Sequence, residues 1–297
     1  MARRPLLAEL HAHTTWSDGV LNPGELVDLY GSSGFDVLAI TDHVVHSAVD
    51  RHVRAETYAA YLDEIDAEAE RARRGYGLLL LPGLELTIED PDPRQAGHAV
   101  AVGLRRFVSV DDGLEAALGD ARAAGAALIA AHPYPLAKAP ASHRGTACFA
   151  EHREWAAEAV DRFELFNRDE RFDWVAECGL PSVATGDFHL PEHLFTWKTL
   201  LRCEPSERAV VAELRSARPS VTERALMILW IRRSTMDLCF PGLMTLSGMP
   251  SKFNDRVDSP RRSTSCAREA PRAVASEPST LTSAGVGAVR GARWCRS

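Results

Sequence analysis

The stretch Leu6-Leu7-Ala8-Glu9-Leu10-His11-Ala12-His13 decides how the chain is read. Its apolar start predicts a strand over Leu6–His13. Successive side chains on a strand point to opposite faces, so His11 and His13 share one, and two imidazoles converge on one point at the strand's C-terminal end. Near the other end of the folded pattern, Gly186-Asp187-Phe188-His189 repeats the spacing with a carboxylate and an imidazole.

From the first stretch to just beyond the second, short β-like runs alternate with helical segments. Strands are expected at Leu6–His13, Phe35–His43, Leu78–Thr87, His98–Leu104, Ala126–His132, Arg162–Asn167, Ser182–His189 and Thr196–Cys203. Helices are expected at Pro23–Ser33, Ala55–Arg74, Asp112–Ala124, Glu151–Val160, Asp169–Glu177 and Ser206–Ala217. Asn22 is placed to cap the first, with Pro23 in its first turn. Gly34, Gly75, Gly125 and Gly179 fall where helices should end. A βα unit repeated about seven times predicts an α/β fold, a mostly parallel sheet or barrel with its site at the strands' C-terminal ends. The expected division is a barrel over residues 1–225 and an irregular, basic, low-complexity tail over 226–297.

Composition narrows the function. The 297 residues, 45% hydrophobic and 25% charged, suit an ordinary globular protein with a sizeable core. No apolar run reaches transmembrane length, and the short run Leu6-Leu7-Ala8 before Glu9 is no signal sequence, so the expected location is the cytoplasm, away from membranes. Six scattered cysteines with no C-x-x-C pair fit reduced thiols. Residues 251–297 hold nine Lys/Arg against four Asp/Glu, a net of +5, which leaves −12 for residues 1–250 out of a total of −7. So acidic a body repels a nucleic-acid backbone but suits bound cations.

Further ligand-type residues stand at the other strand ends: Thr41-Asp42-His43, Glu85, Gly97-His98 and His132-Pro133, with Asp18 in the loop after the first strand. For any one of them a structural histidine or a capping acid is the commoner role. As a set, buried and unpaired at one end of apolar strands, they would cost several kcal/mol each, and the neighbouring carboxylates would repel unless cations lay between them. Nitrogen and oxygen donors without thiolate favour zinc, manganese or iron in a catalytic multi-metal centre. Asp42, pointing away from His43, is expected to orient a ligand or to cap rather than to ligate. His46, His52 and His152 read as surface residues. Arg144, His193 and Lys198, together with His143 and Arg168, are candidates for gripping a substrate anion.

These motifs, His11-x-His13-Thr14 with Ser17-Asp18-Gly19, Ile40-Thr41-Asp42-His43, Glu85, Gly97-His98, His132-Pro133 and Gly186-Asp187-x-His189, resemble those of the PHP family, the polymerase and histidinol phosphatase metallo-phosphoesterases. The resemblance spans residues 6–205 in order and is greatest to stand-alone, small-substrate members. It implies a distorted (β/α)7, TIM-like barrel with two or three divalent metal ions. His11, His13, Glu85 and Asp187 would hold one; Glu85 would bridge to a second held by His98 and His132; Asp18, His43 and His189 would hold a third. The expected reaction is hydrolysis of a small phosphate ester, such as a phosphomonoester or nucleotide, by metal-activated hydroxide, with Asp187 orienting the water. Alternatives are carboxyl or carbamate ester hydrolysis on the same metals, a single-strand exonuclease, or a catalytically silent metal-binding module. No G-x-S-x-G elbow or P-loop offers another route.

Overall fold

A computed structural model describes residues 4–46, 52–139, 146–216, 218 and 221–224. Arg144 and the expected tail, 226–297, lie outside the described residues. In chain order the elements begin with β1 (Leu6–Glu9), α1 (Pro23–Ser32), β2 (Val37–Ile40), β3 (His43–Val44) and α2 (Tyr58–Tyr76). The middle of the chain forms β4 (Leu79–Ile88), β5 (Gly97–Val102), α3 (Leu114–Ala123), β6 (Ala127–Ala131), α4 (Cys148–Glu151) and α5 (Arg153–Ala159). Then come β7 (Arg162–Asn167), β8 (Glu170–Arg171), α6 (Asp173–Glu177), β9 (Ser182–Thr185), β10 (Trp197–Leu201), α7 (Glu207–Leu214) and β11 (Val221–Arg224).

The strands form one mixed sheet in the order β11-β10-β1-β2-β4-β5-β6-β7-β8, with β3 paired to β4 and β9 to β7. It curls into a distorted, TIM-like half-barrel. β1, β2 and β4 run parallel, as do β6, β7 and β9, but β5 is antiparallel to both its neighbours and β10 to β1. This corrects the expectation of a mostly parallel sheet. A parallel crossover needs a dozen or more residues, and the link from Ile88 to Gly97 is shorter, so the chain turns back as a hairpin. Between β9 and β10, the Thr199 hydroxyl receives Ala184 N (2.9 Å) and donates to Ala184 O (2.8 Å), bridging two strands that share no backbone ladder.

Both faces of the strands are buried, which is why they read as continuous apolar runs. Leu6, Ala8, Leu10, Val37, Ala39 and Ile129 fill the interior together with Val210 and Leu214 of α7. Leu7, Leu38, Ile40, Leu80 and Leu128 face outward onto the helices. Buried Arg162, at the start of β7, donates to the carbonyls of Glu213, Leu214 and Ser216, capping the C-terminal end of α7.

Local signals act as expected at α1, where Asn22 Oδ1 accepts from Glu25 N (2.9 Å) and Glu25 reaches back to Asn22 N (3.0 Å), a capping box. α2 runs past Gly75 and ends at Gly77, whose φ of 68° is the left-handed stop. Among the described residues, no helix is long and apolar enough to cross a membrane.

Candidate metal centre

Beyond β1 the chain continues extended, and Ala12 forms a parallel bridge with Phe188, beyond β9. Phe188 N donates to His11 O (3.1 Å) and His13 N to Phe188 O (2.9 Å). Ala12 and Phe188 turn into the core, so the residues flanking them, His11 and His13 on one chain and Asp187 and His189 on the other, turn together to the opposite side. The reversal of β5 contributes too: His98, opposite Thr87 and Ala131, begins that strand and so lies at the same end as the residues that finish the others.

All nine expected ligands meet there. Glu85, wholly buried, stands at the middle. Its Oε2 is 3.4 Å from both His11 Nε2 and His13 Nε2, which are 3.0 Å apart, and Asp187 Oδ1 lies 3.7 and 3.5 Å from these two nitrogens. Four donors around a tetrahedral zinc at about 2.1 Å would be spaced by roughly 3.4 Å. Glu85 Oε1 faces the second set, 3.2 Å from His98 Nδ1 and 3.3 Å from His132 Nε2. The third set sits at the mouth, where the Asp18 side chain is 54% exposed. Its oxygens lie 3.6 Å from His43 Nε2, 3.1 Å from His189 Nε2 and 3.7 Å from His13 Nδ1. His43 faces two sets, since its Nδ1 is 2.8 Å from Glu85 Oε2.

Two buried atoms in this cluster, Glu85 Oε2 and His98 Nε2, have no hydrogen-bond partner of acceptable geometry. Such orphans carry a desolvation cost that a cation would relieve, so the donor set fits divalent metals. Burial alone would raise Glu85, but His43, His11 and His98 hold it well below the usual carboxylate range. Burial opposes charge on His11 also, yet Glu85, Asp187 and Glu164 keep it well above the ordinary imidazole value. His13, by contrast, is pushed down to about 3 by burial beside His43 and His189.

The supporting shell holds two carboxylates that the sequence reading passed over. Glu164, buried in β7, faces His11 Nδ1 (2.9 Å) and accepts from His132 N (2.6 Å), Asn167 Nδ2 (2.8 Å) and Thr185 Oγ1 (2.6 Å). That fixes the His11 proton on Nδ1 and turns Nε2 to the centre. Glu9 Oε1 accepts from Leu10 N, His11 N and Gly186 N, tying the two ligand-bearing chains together. Both stand in strand runs where an acid interrupts apolar residues, the one signal that could have found them. Asp42 receives Thr14 N, Thr14 Oγ1 and Ser17 Oγ, and so holds the loop that carries Asp18.

Two expectations about anion-gripping residues are corrected. Lys198 is wholly buried and points away from solvent, donating to His193 O (2.9 Å) and Thr196 Oγ1 (2.8 Å) with Glu9 Oε2 at 3.1 Å. His193 spends Nδ1 as acceptor for His189 N (3.1 Å) and Leu190 N (3.3 Å), and burial with Arg168 nearby lowers it to about 4, so it is no cationic grip. Arg168 does lie at the centre, 3.0 Å from Asp187 Oδ2. The described non-glycine residues with positive φ are His132 (28°), Arg168 (53°) and Asp187 (41°), all at this site, where backbone strain is commonly stored.

No family model matches the chain. It is 33% identical over 87 residues to the DNA polymerase/3'-5' exonuclease PolX of Bacillus subtilis, a match covering 28% of this chain and 15% of that protein. It is 35% identical over 79 residues to a 5'-3' exoribonuclease of Haemophilus influenzae, covering 27% and 23%. The matches thus span less than a quarter of either curated relative. Among solved structures, a two-domain protein from Bacteroides vulgatus containing a predicted PHP-like metal-dependent phosphoesterase superposes with a TM-score of 0.55 at 18% identity, over 78% of this chain and 72% of that one. The chain therefore has a PHP-like fold, with the nine residues that carry the resemblance gathered at one end of its sheet.

Proposed function

We propose that this protein is a PHP-family hydrolase that cleaves a small phosphate ester using two or three divalent ions of zinc, manganese or iron. The observation that carries the reading is Glu85: a fully buried carboxylate that faces two histidine pairs, one from each oxygen, with Oε2 left without a hydrogen bond. The same reading takes the curled sheet as that family's distorted (β/α)7 barrel, working in the cytoplasm.

Bound cations would lower the pKa of water toward neutrality and polarise the phosphoryl oxygens. The chain's own residues do the rest. Glu164 and Thr146 occupy the Nδ1 atoms of His11 and His132, so each presents Nε2 inward. Asp187, which pairs with Arg168, would orient a water for in-line attack and take its proton. Arg168 also brings a fixed positive charge to the side where an ester's oxygens would lie.

The two partial matches to nucleases favour a second reading, a single-strand exonuclease. The net charge of −12 over residues 1–250 opposes it. One assay separates the readings. Purified protein with added Mn²⁺ or Zn²⁺ is given p-nitrophenyl phosphate, a nucleotide panel, an aryl carboxyl ester and a single-stranded oligonucleotide. Metal-dependent turnover of the monoesters, lost in both His11→Ala and Asp187→Ala, is expected. Full activity in either variant, or turnover confined to the oligonucleotide or carboxyl ester, overturns the phosphomonoesterase reading.

A further inference from the structure

A cavity of about 390 Å³ is lined by the segment Tyr134–Lys138, beyond β6, and by residues of β8 and α6. Its inner wall is Tyr134, whose ring centroid is 6.5 Å from that of His132, a candidate ligand. The wall is rigid: Tyr134 packs edge-on against Phe172 (5.0 Å, 89°), and Trp174 Nε1 donates to Pro133 O (2.8 Å). The volume is within the range of small-molecule sites.

Its charges are unevenly paired. Lys138, Glu170, Arg171, Asp173 and Glu177 line it. Arg171 is committed, with Nε 3.2 Å from Asp173 Oδ1 and its guanidinium over the Phe166 ring. Lys138, exposed on the segment beyond Pro135, is the other basic residue of the lining. Glu170 receives the Tyr134 hydroxyl, feels the His132 ring, and has no Lys or Arg ion pair among the described residues. The β7–β8 hairpin that presents it also carries Arg168, bonded to Asp187, so the acceptor stands on the metal side of the cavity.

We infer that this cavity is the subsite for the alcohol part of the ester, and that Glu170 and Tyr134 make it select an alcohol that is uncharged or bears an ammonium over one bearing a carboxylate or a second phosphate. The inference rests on the phosphate-ester reading for the catalytic end of the site. A phosphoryl group held beside His132 would bring its alcohol substituent within reach of Tyr134. An ammonium there gains an ion pair with Glu170 that a carboxylate can only meet as repulsion, which holds even at the moderate screening of a partly exposed site.

The test pairs two esters of like size, ethanolamine phosphate and glycolate phosphate, on the Mn²⁺-loaded full chain. Their affinities are measured by calorimetry and their kcat/KM by phosphate release, in wild type, Glu170→Gln and Glu170→Lys. The expected result is at least fivefold preference for the ethanolamine ester at low salt, shrinking with added salt, reduced in Glu170→Gln and reversed in Glu170→Lys. Equal affinities in wild type, or a preference unmoved by both substitutions, overturns it. A binding preference that follows Glu170 while neither ester is turned over would leave the subsite standing and refute the hydrolytic reading alone.

Discussion

Lys198→Met separates a structural lysine from a substrate-gripping one. The ammonium shares a fully buried site with the Glu9 carboxylate, and burial lowers its pKa despite that partner. Removing one member of a buried pair costs about 3–5 kcal/mol, because the other charge is stranded. Glu9 would keep four neutral donors, Leu10 N, His11 N, Gly186 N and the Tyr30 hydroxyl, which places the cost near the lower end, about 3 kcal/mol. At roughly 2–4 °C per kcal/mol for a chain of this size, thermal unfolding should shift down by about 6–12 °C. Glu9→Gln should cost a similar amount. The double variant should cost less than the two singles together, since the stranded charge is gone; the coupling expected for groups in contact is about 0.5–3 kcal/mol. KM for p-nitrophenyl phosphate, measured well below the transition, should stay within twofold of wild type. A Lys198→Met protein with an unchanged melting temperature and a raised KM would refute the burial argument and restore the anion-gripping role.

Three other outcomes follow from the same geometry. Glu164→Gln replaces a carboxylate that faces four donors with an amide offering one acceptor oxygen, and should weaken metal binding by about 10–100-fold in a chelator-competition titration; undiminished affinity would show that His11 needs no orienting partner. Gly186→Ala puts a Cβ on top of Glu9 Oε2 and Lys198 Nζ, both rigidly held, and should destabilise by about 1–3 kcal/mol in urea unfolding. His193 has a native pKa of about 4 against 6.5 when free, so the unfolded chain takes up its proton first. Metal-free protein should accordingly lose stability as pH falls from 6.5 toward 4, by about 1 kcal/mol after allowance for partial exposure, and His193→Gln should flatten that slope in pH-dependent melting curves.

Six of the nine candidate ligands stand out in the sequence because they fall where a largely apolar run stops: His11, His13, His43, His132, Asp187 and His189. One such side chain alone is more often structural; the repetition of the pattern at one end of the strands is what marks a candidate centre. The direction of β5 is a different matter. Its residues, His98 to Val102, are as apolar as those of the parallel strands, because both its faces are buried too. Only the absence of a helical pattern between Ile88 and Gly97 distinguishes a hairpin from a crossover.

Glu9 and Glu164 were hidden by the rule that exposes the ligands. An acid inside a strand reads as its solvent-facing side, and nothing local says that both faces of β1 and β7 are covered. Their burial follows from closure of the sheet, a property of the whole chain: Glu9 meets Gly186, and His11 meets Glu164, across more than 150 residues of sequence. The buried acids in turn fix what the visible motifs leave open, the tautomer of His11 and the separation of its chain from that of Asp187. Spacing identifies which atoms could bind a cation, but hydrogen bonds to distant carboxylates decide which nitrogen faces it.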